Sequence, residues 1–210
     1  NAAAAGARPE HMPVIIGAVK AISQMVTDGG KSLLMSTSPQ APLLVVNGPI
    51  RGELGLNPRS SLGPGFDNRV NITIGRAFSL CLRNIGYWYP NQMDMDTIGT
   101  TRKFVHCIAE NEESSPWEPY HVEKGYPLES STVTLFSVCH PIEAPNWVDG
   151  HPEGILETIS HIIASYIRCH GYVIVILGPE HAEKIAVAGW DKARVKEHIA
   201  ERVEALRPTV

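Results

Sequence analysis

Residues 41–51 read Ala-Pro-Leu-Leu-Val-Val-Asn-Gly-Pro-Ile-Arg, an apolar run that passes directly into turn and polar residues. A continuous run such as Leu43 to Val46, with no alternation, is typical of a strand covered on both faces. Four more apolar runs bounded by turn residues predict strands at Ser32 to Ser36, Lys103 to Ala109, Thr132 to Val138 and 172–177. The sequence therefore predicts a sheet of about five strands.

Amphipathic helices alternate with these predicted strands. From Met12 to Val26 apolar residues recur at three- and four-residue steps, and Asp28-Gly29-Gly30 ends the pattern. Similar patterns predict helices at Arg69 to Ile85, 154–169, 179–188 and 191–206, with one helical turn at Ile50 to Leu54. We therefore expect a single α/β domain over residues 1–210, three layers thick, with a mainly parallel sheet and helices on both faces.

The composition is that of an ordinary globular chain and excludes several classes of protein. Of the 210 residues 43% are hydrophobic and 19% are charged, which argues against intrinsic disorder. The net charge of −4 argues against a nucleic-acid partner or an anionic membrane, because both need a basic surface. The longest apolar run, Val173 to Leu177, is far shorter than the roughly 20 residues of a membrane helix.

The cysteines indicate a reducing compartment. They are widely spaced and include no C-x-x-C pair, which argues against a disulfide framework or a zinc ribbon: Cys81, Cys107, Cys139 and Cys169. We expect a cytoplasmic location, since no secretory signal is present. The chain begins at Asn1 without a Met, which leaves a processed, excised or incomplete start as alternatives. We expect it to oligomerise, as the C-terminal part or one subunit of a larger assembly.

Polar clusters follow four of the predicted strands at their carboxyl ends. The clusters are Asn47-Gly48-Pro49-Ile50-Arg51, Glu110-Asn111-Glu112-Glu113, Cys139-His140-Pro141 and Gly178-Pro179-Glu180-His181. In open α/β sheets the ligand crevice forms outside the carboxyl ends of the strands. Solvent-exposed loops would explain one or two such clusters, whereas four favour a functional crevice.

The turn after the first apolar strand predicts an anion-binding site. Gly48 lets the backbone approach a ligand, and Arg51 can bind a carboxylate with two hydrogen bonds. The alternative is a tight turn with a solvated Arg51. The predicted substrate-binding set is Asn47, Gly48, Arg51, Arg76, Asn111 and His181.

The segment from His106 to Glu123 is the richest in titratable side chains. Carboxylates and imidazoles that converge in a cleft transfer protons or bind a divalent metal ion. The predicted catalytic residues are Glu110, Glu112, His121 and His140, and the candidate metal ligands are Glu110, His121 and Glu123. The alternative is a solvated acidic loop held by Trp117, which explains Glu110 poorly because Glu110 directly follows an apolar strand.

Several common motifs are absent from the sequence. Gly30-Lys31-Ser32 has the form of a P-loop ending, but Met25 occupies the position of the required earlier glycine. No G-x-G-x-x-G follows a predicted strand, and no G-x-S-x-G occurs. The sequence therefore argues against common nucleotide-binding folds and against the α/β-hydrolase mechanism.

The chain resembles a little-characterised bacterial family whose members occur beside, or fused to, a UGSC-motif domain similar to selenoprotein components of glycine reductase. The resemblance rests on Asn47-Gly48-Pro49, Leu62-Gly63-Pro64-Gly65, Thr73-Ile74-Gly75-Arg76-Ala77, Ala109 to Pro119, His121-Val122-Glu123 and Gly178-Pro179-Glu180-His181-Ala182. The U-G-S-C motif itself is absent, and Ala7 stands where the resemblance leads us to expect a cysteine. The resemblance implies a companion domain or subunit, and redox chemistry or cleavage of a carbon–heteroatom bond.

These observations lead to one main functional hypothesis and two alternatives. The main hypothesis is an enzyme, or its substrate-binding subunit, that acts on a small anionic organic molecule with proton transfer by Glu and His. The first alternative is a non-catalytic subunit that docks a UGSC-type companion through Trp117 and Tyr120. The second is a metal-dependent hydrolase or lyase.

Overall fold

The computed structural model describes residues 1–28, 34–139, 141–146, 150–166 and 173–207. Its strands are β1 Ala41–Asn47, β2 Cys107–Ala109 and β3 Thr132–Val138. Its α-helices are α1 Met12–Thr27, α2 Ile50–Leu54, α3 Arg69–Asn84, α4 Tyr120–Glu123, α5 Pro152–Ser165, α6 Pro179–Val187 and α7 Lys192–Leu206. The chain divides into two compact units: Asn1–Glu112 with Pro119–His140, and Glu113–Glu118 with Pro141–Val210.

The sheet of the first unit has the strand order β2-β1-β3 and is mixed. β2 pairs with β1 in parallel, with Val46 opposite Ala109. β3 is antiparallel to β1, so that Asn47 faces Thr132 at one edge of the sheet and Ala41 faces Val138 at the other. The expectation of a mainly parallel sheet of about five strands in three layers is therefore wrong. An apolar run predicts a strand but carries no information on its direction.

Two of the predicted strands are absent from the described part of the chain. Residues 34–36 of the Ser32 to Ser36 prediction form a turn and a bend, and residues 173–177 have no regular structure. Val173 and Ile176 are 59% and 67% exposed. A strand needs a hydrogen-bonded neighbour as well as suitable side chains, and residues 173–177 have none among the described strands. Strand propensity alone therefore overpredicted the sheet.

Both long helices of the first unit pack on the same face of the sheet. Leu44, Val46 and Leu135 supply the strand side of this core, and α1 and α3 supply the other side. A Cβ atom added at Gly17 of α1 would lie 2.7 Å from Val133, and one added at Gly75 of α3 would lie 2.9 Å from the backbone nitrogen of His106. Because both helices share one core with Leu44 and Val46, α1 and α3 form a single helical layer within this unit.

The predicted helices are confirmed within a few residues of their expected ends. α1 buries Val14, Ile15, Ala18 and Ile22, which follow the expected three- and four-residue steps. The expected helix over 154–169 begins earlier, at Pro152, and its described part ends at Ser165. None of the helices in the described ranges is both long and apolar enough to cross a membrane.

The second unit has its own apolar core, formed by α5, α6 and α7. Leu156, Ile185 and Trp190 are buried at its centre. The indole Nε1 of Trp117 donates a hydrogen bond to the carbonyl of Trp190 at 3.0 Å, and the Trp117 ring packs against this core. The Asp191 carboxylate accepts a hydrogen bond from the backbone nitrogen of Arg194 at 2.8 Å, which caps α7.

Buried titratable groups lie around the start of β2. Cys107 is buried, and burial raises the pKa of its thiol to about 12. His106 is only 5% exposed. Burial, and then the positive charge of Arg102, lowers the pKa of His106 to about 4, opposed by a hydrogen bond to the Pro42 backbone. The folded protein therefore holds the His106 imidazole neutral.

We expect His106 to make the first unit less stable in mild acid. Its pKa falls from 6.5 to about 4 on folding, so the unfolded chain binds more protons between these pH values. The contribution is complete above the unfolded pKa and is lost as the pH falls towards the folded pKa, up to about 3 kcal/mol. Urea unfolding followed by circular dichroism over this pH range should show a steeper loss for wild type than for His106→Gln. His161→Gln, at an exposed imidazole, is the control, and equal slopes for wild type and His106→Gln would contradict the expectation.

Candidate functional site

The carboxyl ends of β1 and β2 meet at one edge of the sheet and bring Asn47 and Glu110 together. The parallel register sets Val46 beside Ala109, and the next residue on each strand continues it. The backbone nitrogen of Glu110 donates to the Val46 carbonyl at 3.2 Å. The side-chain Nδ2 of Asn47 donates to Glu110 Oε2 in a short hydrogen bond. We call the side chains of Asn47, Arg51, Glu110, Glu112 and His121 the edge cluster.

Arg51 and Glu112 form a buried ion pair inside the edge cluster. Arg51 Nη2 donates to Glu112 Oε2 at 2.6 Å, and the two side chains are 9% and 10% exposed. The other carboxylate oxygen of Glu112 accepts from Asn47 Nδ2 at 2.9 Å and from the Gly48 backbone nitrogen at 2.8 Å. Arg51 also donates to the Glu110 carbonyl at 2.7 Å and to the Gly48 carbonyl at 3.2 Å. Glu112 is thus held by three donors.

Glu110 is held through one of its two carboxylate oxygens. Oε2 accepts from Asn47 and from the backbone nitrogen of Tyr120, the latter at 2.8 Å. Tyr120 is the first residue of α4, so the amide comes from the start of that helix. Within the described ranges no donor reaches the other oxygen, Oε1. Glu110 is half-buried, and this oxygen is its unengaged acceptor.

His121 lies on α4 with its imidazole completely buried. Its Nε2 is 3.2 Å from the carbonyl of Leu128, which requires that this nitrogen carries the proton. Its Nδ1 is 3.8 Å from Glu112 Oε1, too far for a hydrogen bond. In the neutral imidazole Nδ1 is therefore an acceptor without a protein donor.

Gly48 closes the turn between β1 and α2, and the site requires glycine there. Its φ is +82°, in the left-handed region that side chains disfavour. A Cβ atom at this position would overlap the carbonyl oxygen of Ser130, which precedes β3. The absence of a side chain allows the turn to lie against Ser130 and to direct its amide at Glu112.

Three buried polar atoms at this edge have no hydrogen-bond partner: Asn47 Oδ1, His121 Nδ1 and Thr132 Oγ1. The amide of Asn47 must turn Nδ2 towards the two carboxylates, which leaves Oδ1 unpaired. Thr132 is directly opposite Asn47 on β3, so both side chains lie on one face of the sheet. Buried polar atoms are almost always satisfied, and three of the six unpaired ones among the described residues lie at this edge.

Six of the predicted site residues come together at this edge: Asn47, Gly48, Arg51, Glu110, Glu112 and His121. Asn111 is half-buried between the two glutamates, and Arg76 is exposed on α3. Glu123, at the end of α4, pairs with Lys124 at 3.3 Å.

The remaining two predicted residues come from other parts of the chain. His140 lies outside the described residues, and Val138, two residues before it, pairs with Ala41 at the far end of β1. Because β3 runs antiparallel, its amino end and not its carboxyl end reaches the edge with Asn47. His181 lies on α6 in the second unit.

The described part of the chain holds no set of side chains that could act as ligands of the predicted metal ion. No group of three or more His, Cys, Asp or Glu side chains among those residues could hold a metal ion. Of the candidate ligands, His121 has its Nε2 against a carbonyl, and Glu123 is paired with Lys124. The polar side chains at this edge form a network of hydrogen bonds with one another.

Sequence reasoning missed the contributions of Tyr120, Leu128, Ser130 and Thr132 to the site. Three of these act through the backbone, which any residue type can supply, and so leave no signal in the sequence. Thr132 could have been found from the register of β3, but only once its antiparallel direction was known.

In comparisons with known proteins, no protein-family model, no curated protein and no solved structure matches this chain. The resemblance to UGSC-associated proteins therefore stays a prediction, and the chemistry of the edge cluster has to be argued from its own residues.

We expect Arg51→Met to destabilise the first unit by about 3 kcal/mol, because it leaves the buried Glu112 carboxylate without its cation. Glu112→Gln in the same chain should recover part of this loss, since the two side chains interact directly. Urea unfolding measures both variants and the double variant. Arg202→Met removes the exposed pair with Glu157 and should have little effect. Strictly additive losses would contradict the pairing.

We expect Gly48→Ala to destabilise the protein by about 2 kcal/mol or more, because it combines a positive φ with a steric overlap. Gly52→Ala is the matched control: Gly52 lies in α2, and a Cβ atom there meets no heavy atom within 4 Å. That variant should be neutral or stabilising by up to about 1 kcal/mol. Thermal unfolding of the two variants tests this, and a Gly48→Ala protein as stable as wild type would show that the turn adapts.

Proposed function

We propose that this protein is an enzyme, or the substrate-binding part of one, that transfers a proton to or from a small organic molecule at the edge cluster. The observation that supports this most is the set of three unpaired buried polar atoms beside two carboxylates. A network that only stabilised the fold would be expected to satisfy its own buried atoms.

The two glutamates are suited to different tasks. Glu112 accepts hydrogen bonds from Arg51, Asn47 and Gly48, so both of its oxygens are engaged and its position is fixed. Glu110 is held through Oε2 alone, which orients the carboxylate and leaves Oε1 for a proton. We assign Glu110 as the general base or acid and Glu112 as the group that positions Asn47.

His121 is the second candidate for proton transfer. The Leu128 carbonyl fixes the tautomer of the neutral imidazole, so that Nδ1 presents a lone pair next to Glu112. A buried imidazole with one nitrogen fixed by a carbonyl and the other unpaired can accept a proton from a bound group. Because the imidazole is completely buried, a substrate has to displace or replace whatever covers it.

Arg51 has a structural role in this proposal. All three guanidinium nitrogens donate to protein oxygens, on Glu112, Glu110 and Gly48. The guanidinium thus organises the acceptors of the edge cluster, and recognition of an anionic group through Arg51 would require that these bonds break. The proposal therefore rests on proton transfer and not on the charge of the substrate.

The two alternatives have less support. Trp117 and Tyr120, the expected anchors of a docking surface, are engaged within the chain. Trp117 bonds to the Trp190 carbonyl, and Tyr120 packs edge-on against Phe136 at 5.7 Å between ring centroids. The metal-dependent alternative lacks a ligand set among the residues that the structure describes.

The proposal predicts turnover that depends on Glu110. The protein is incubated in D2O with a low-molecular-weight extract, and mass spectrometry follows each small molecule for consumption or deuterium uptake. Glu110→Gln should reduce the rate by about 10²- to 10⁴-fold, because general acid–base catalysis contributes that much. Its thermal unfolding temperature should change little.

Glu129→Gln is the matched control, since Glu129 is exposed on the connection before β3. It should leave the rate unchanged. Equal rates for Glu110→Gln and wild type would refute the assignment of Glu110, and a large loss of stability without loss of rate would make it a structural residue.

A further inference from the structure

The three unpaired atoms at this edge, two in the edge cluster and one on Thr132, can all accept a hydrogen bond. Asn47 Oδ1 is an acceptor only, because its amide nitrogen is committed to the carboxylates. In the neutral imidazole His121 Nδ1 is an acceptor, because Nε2 donates to the Leu128 carbonyl. The Thr132 hydroxyl has no protein partner and can accept through its lone pairs as well as donate. A group that satisfies all three atoms has to bring donors to Asn47 Oδ1 and His121 Nδ1.

The charge of the edge cluster indicates which donor fits. Two carboxylates, Glu110 and Glu112, stand against one guanidinium, Arg51. The cluster therefore carries a net negative charge in surroundings where screening by water is weak. A cationic donor is favoured over a neutral one, and an anion is disfavoured.

From these two observations we infer that the edge cluster binds a primary ammonium group, whose three N–H donors match the three unpaired acceptors Asn47 Oδ1, His121 Nδ1 and Thr132 Oγ1. This inference rests on the proposed function, because it names the substrate class of the same site as a small primary amine. Glu110 Oε1, the unengaged carboxylate oxygen, is the acceptor for the proton that such a substrate would lose.

The three acceptors come from separate segments, which makes the match specific to the folded chain. Asn47 ends β1 and Thr132 begins β3, and the two are directly opposite in the antiparallel ladder. His121 lies on α4, and its Nδ1 is 3.8 Å from the carboxylate oxygen that accepts from Asn47. A carboxylate or phosphate would instead place its own acceptors against Asn47 Oδ1 and His121 Nδ1.

The test is a titration of the ¹⁵N-labelled protein followed by NMR. The reporters are the backbone amides of Gly48 and Tyr120, which donate to the two glutamates of the cluster. Methylammonium chloride is the probe, and we expect saturable shifts with a Kd on the order of 10 mM, as befits a ligand of two non-hydrogen atoms. Potassium chloride and tetramethylammonium chloride supply cations without N–H donors, and glycerol supplies neutral hydroxyl donors.

Variants on β3 assign the contact. Thr132→Val removes the hydroxyl while keeping the branched shape and should weaken methylammonium binding about tenfold or more, as for a hydrogen bond to a charged group. Thr132→Ser keeps the hydroxyl and should bind like wild type. Thr134→Val, two residues along on the same face of β3, is the matched control and should also bind like wild type.

The wild-type titrations decide the inference even if a variant does not fold. Equal shifts with potassium or tetramethylammonium would mean that the site selects only charge, and shifts with glycerol in place of methylammonium would mean a neutral or water-filled site. Either result, or no saturable shift, overturns the inference. Turnover that depends on Glu110 without methylammonium binding would leave the proposed function standing, and binding without turnover would leave only the ammonium site.

Discussion

The parallel pairing of β1 with β2 is the constraint on which the candidate site depends. It connects segments more than sixty residues apart and places Asn47 next to Glu110. The other contacts of the edge cluster depend on this pairing. Glu112 is two residues beyond Glu110 and therefore falls within reach of Arg51 on α2, and the short helix α4 brings Tyr120 and His121 back over the same edge. Loss of the β1–β2 register by one residue would turn Asn47 to the other face.

The buried ion pair of Arg51 and Glu112 holds the acceptors at this edge of the sheet in a defined arrangement. A lone carboxylate in such a place would be costly, and so would a lone guanidinium. Each compensates the other, and the remaining lone pairs of Glu112 are filled by Asn47 and Gly48. Three of the unpaired buried atoms of the described residues lie together at this edge, which is the reason for assigning a ligand there.

The sequence predicted local structure better than connections between distant segments. The helices α1, α3, α6 and α7 follow from periodicity, and β1 follows from its apolar run. The direction of β3 did not follow, because its apolar run reads equally well both ways, and the carboxyl end of β3 lies at the end of the sheet away from Asn47. The run at 173–177 has the residues of a strand but no described partner. The role of Arg51 depended on its partner, and Glu112 is too distant in the chain for spacing to reveal it.

The connection from Lys124 to Ser131 has a consequence for how chains of this type can diverge. It reaches the site three times: the Leu128 carbonyl fixes His121, the Ser130 carbonyl lies against Gly48, and the Ser131 hydroxyl accepts from the Ile50 amide at 3.0 Å. Its amino acids are free to vary where only backbone atoms contact the site. Its length is not free to vary, because these contacts depend on it. Insertions and deletions among relatives should therefore avoid this connection, while the substitutions within it accumulate.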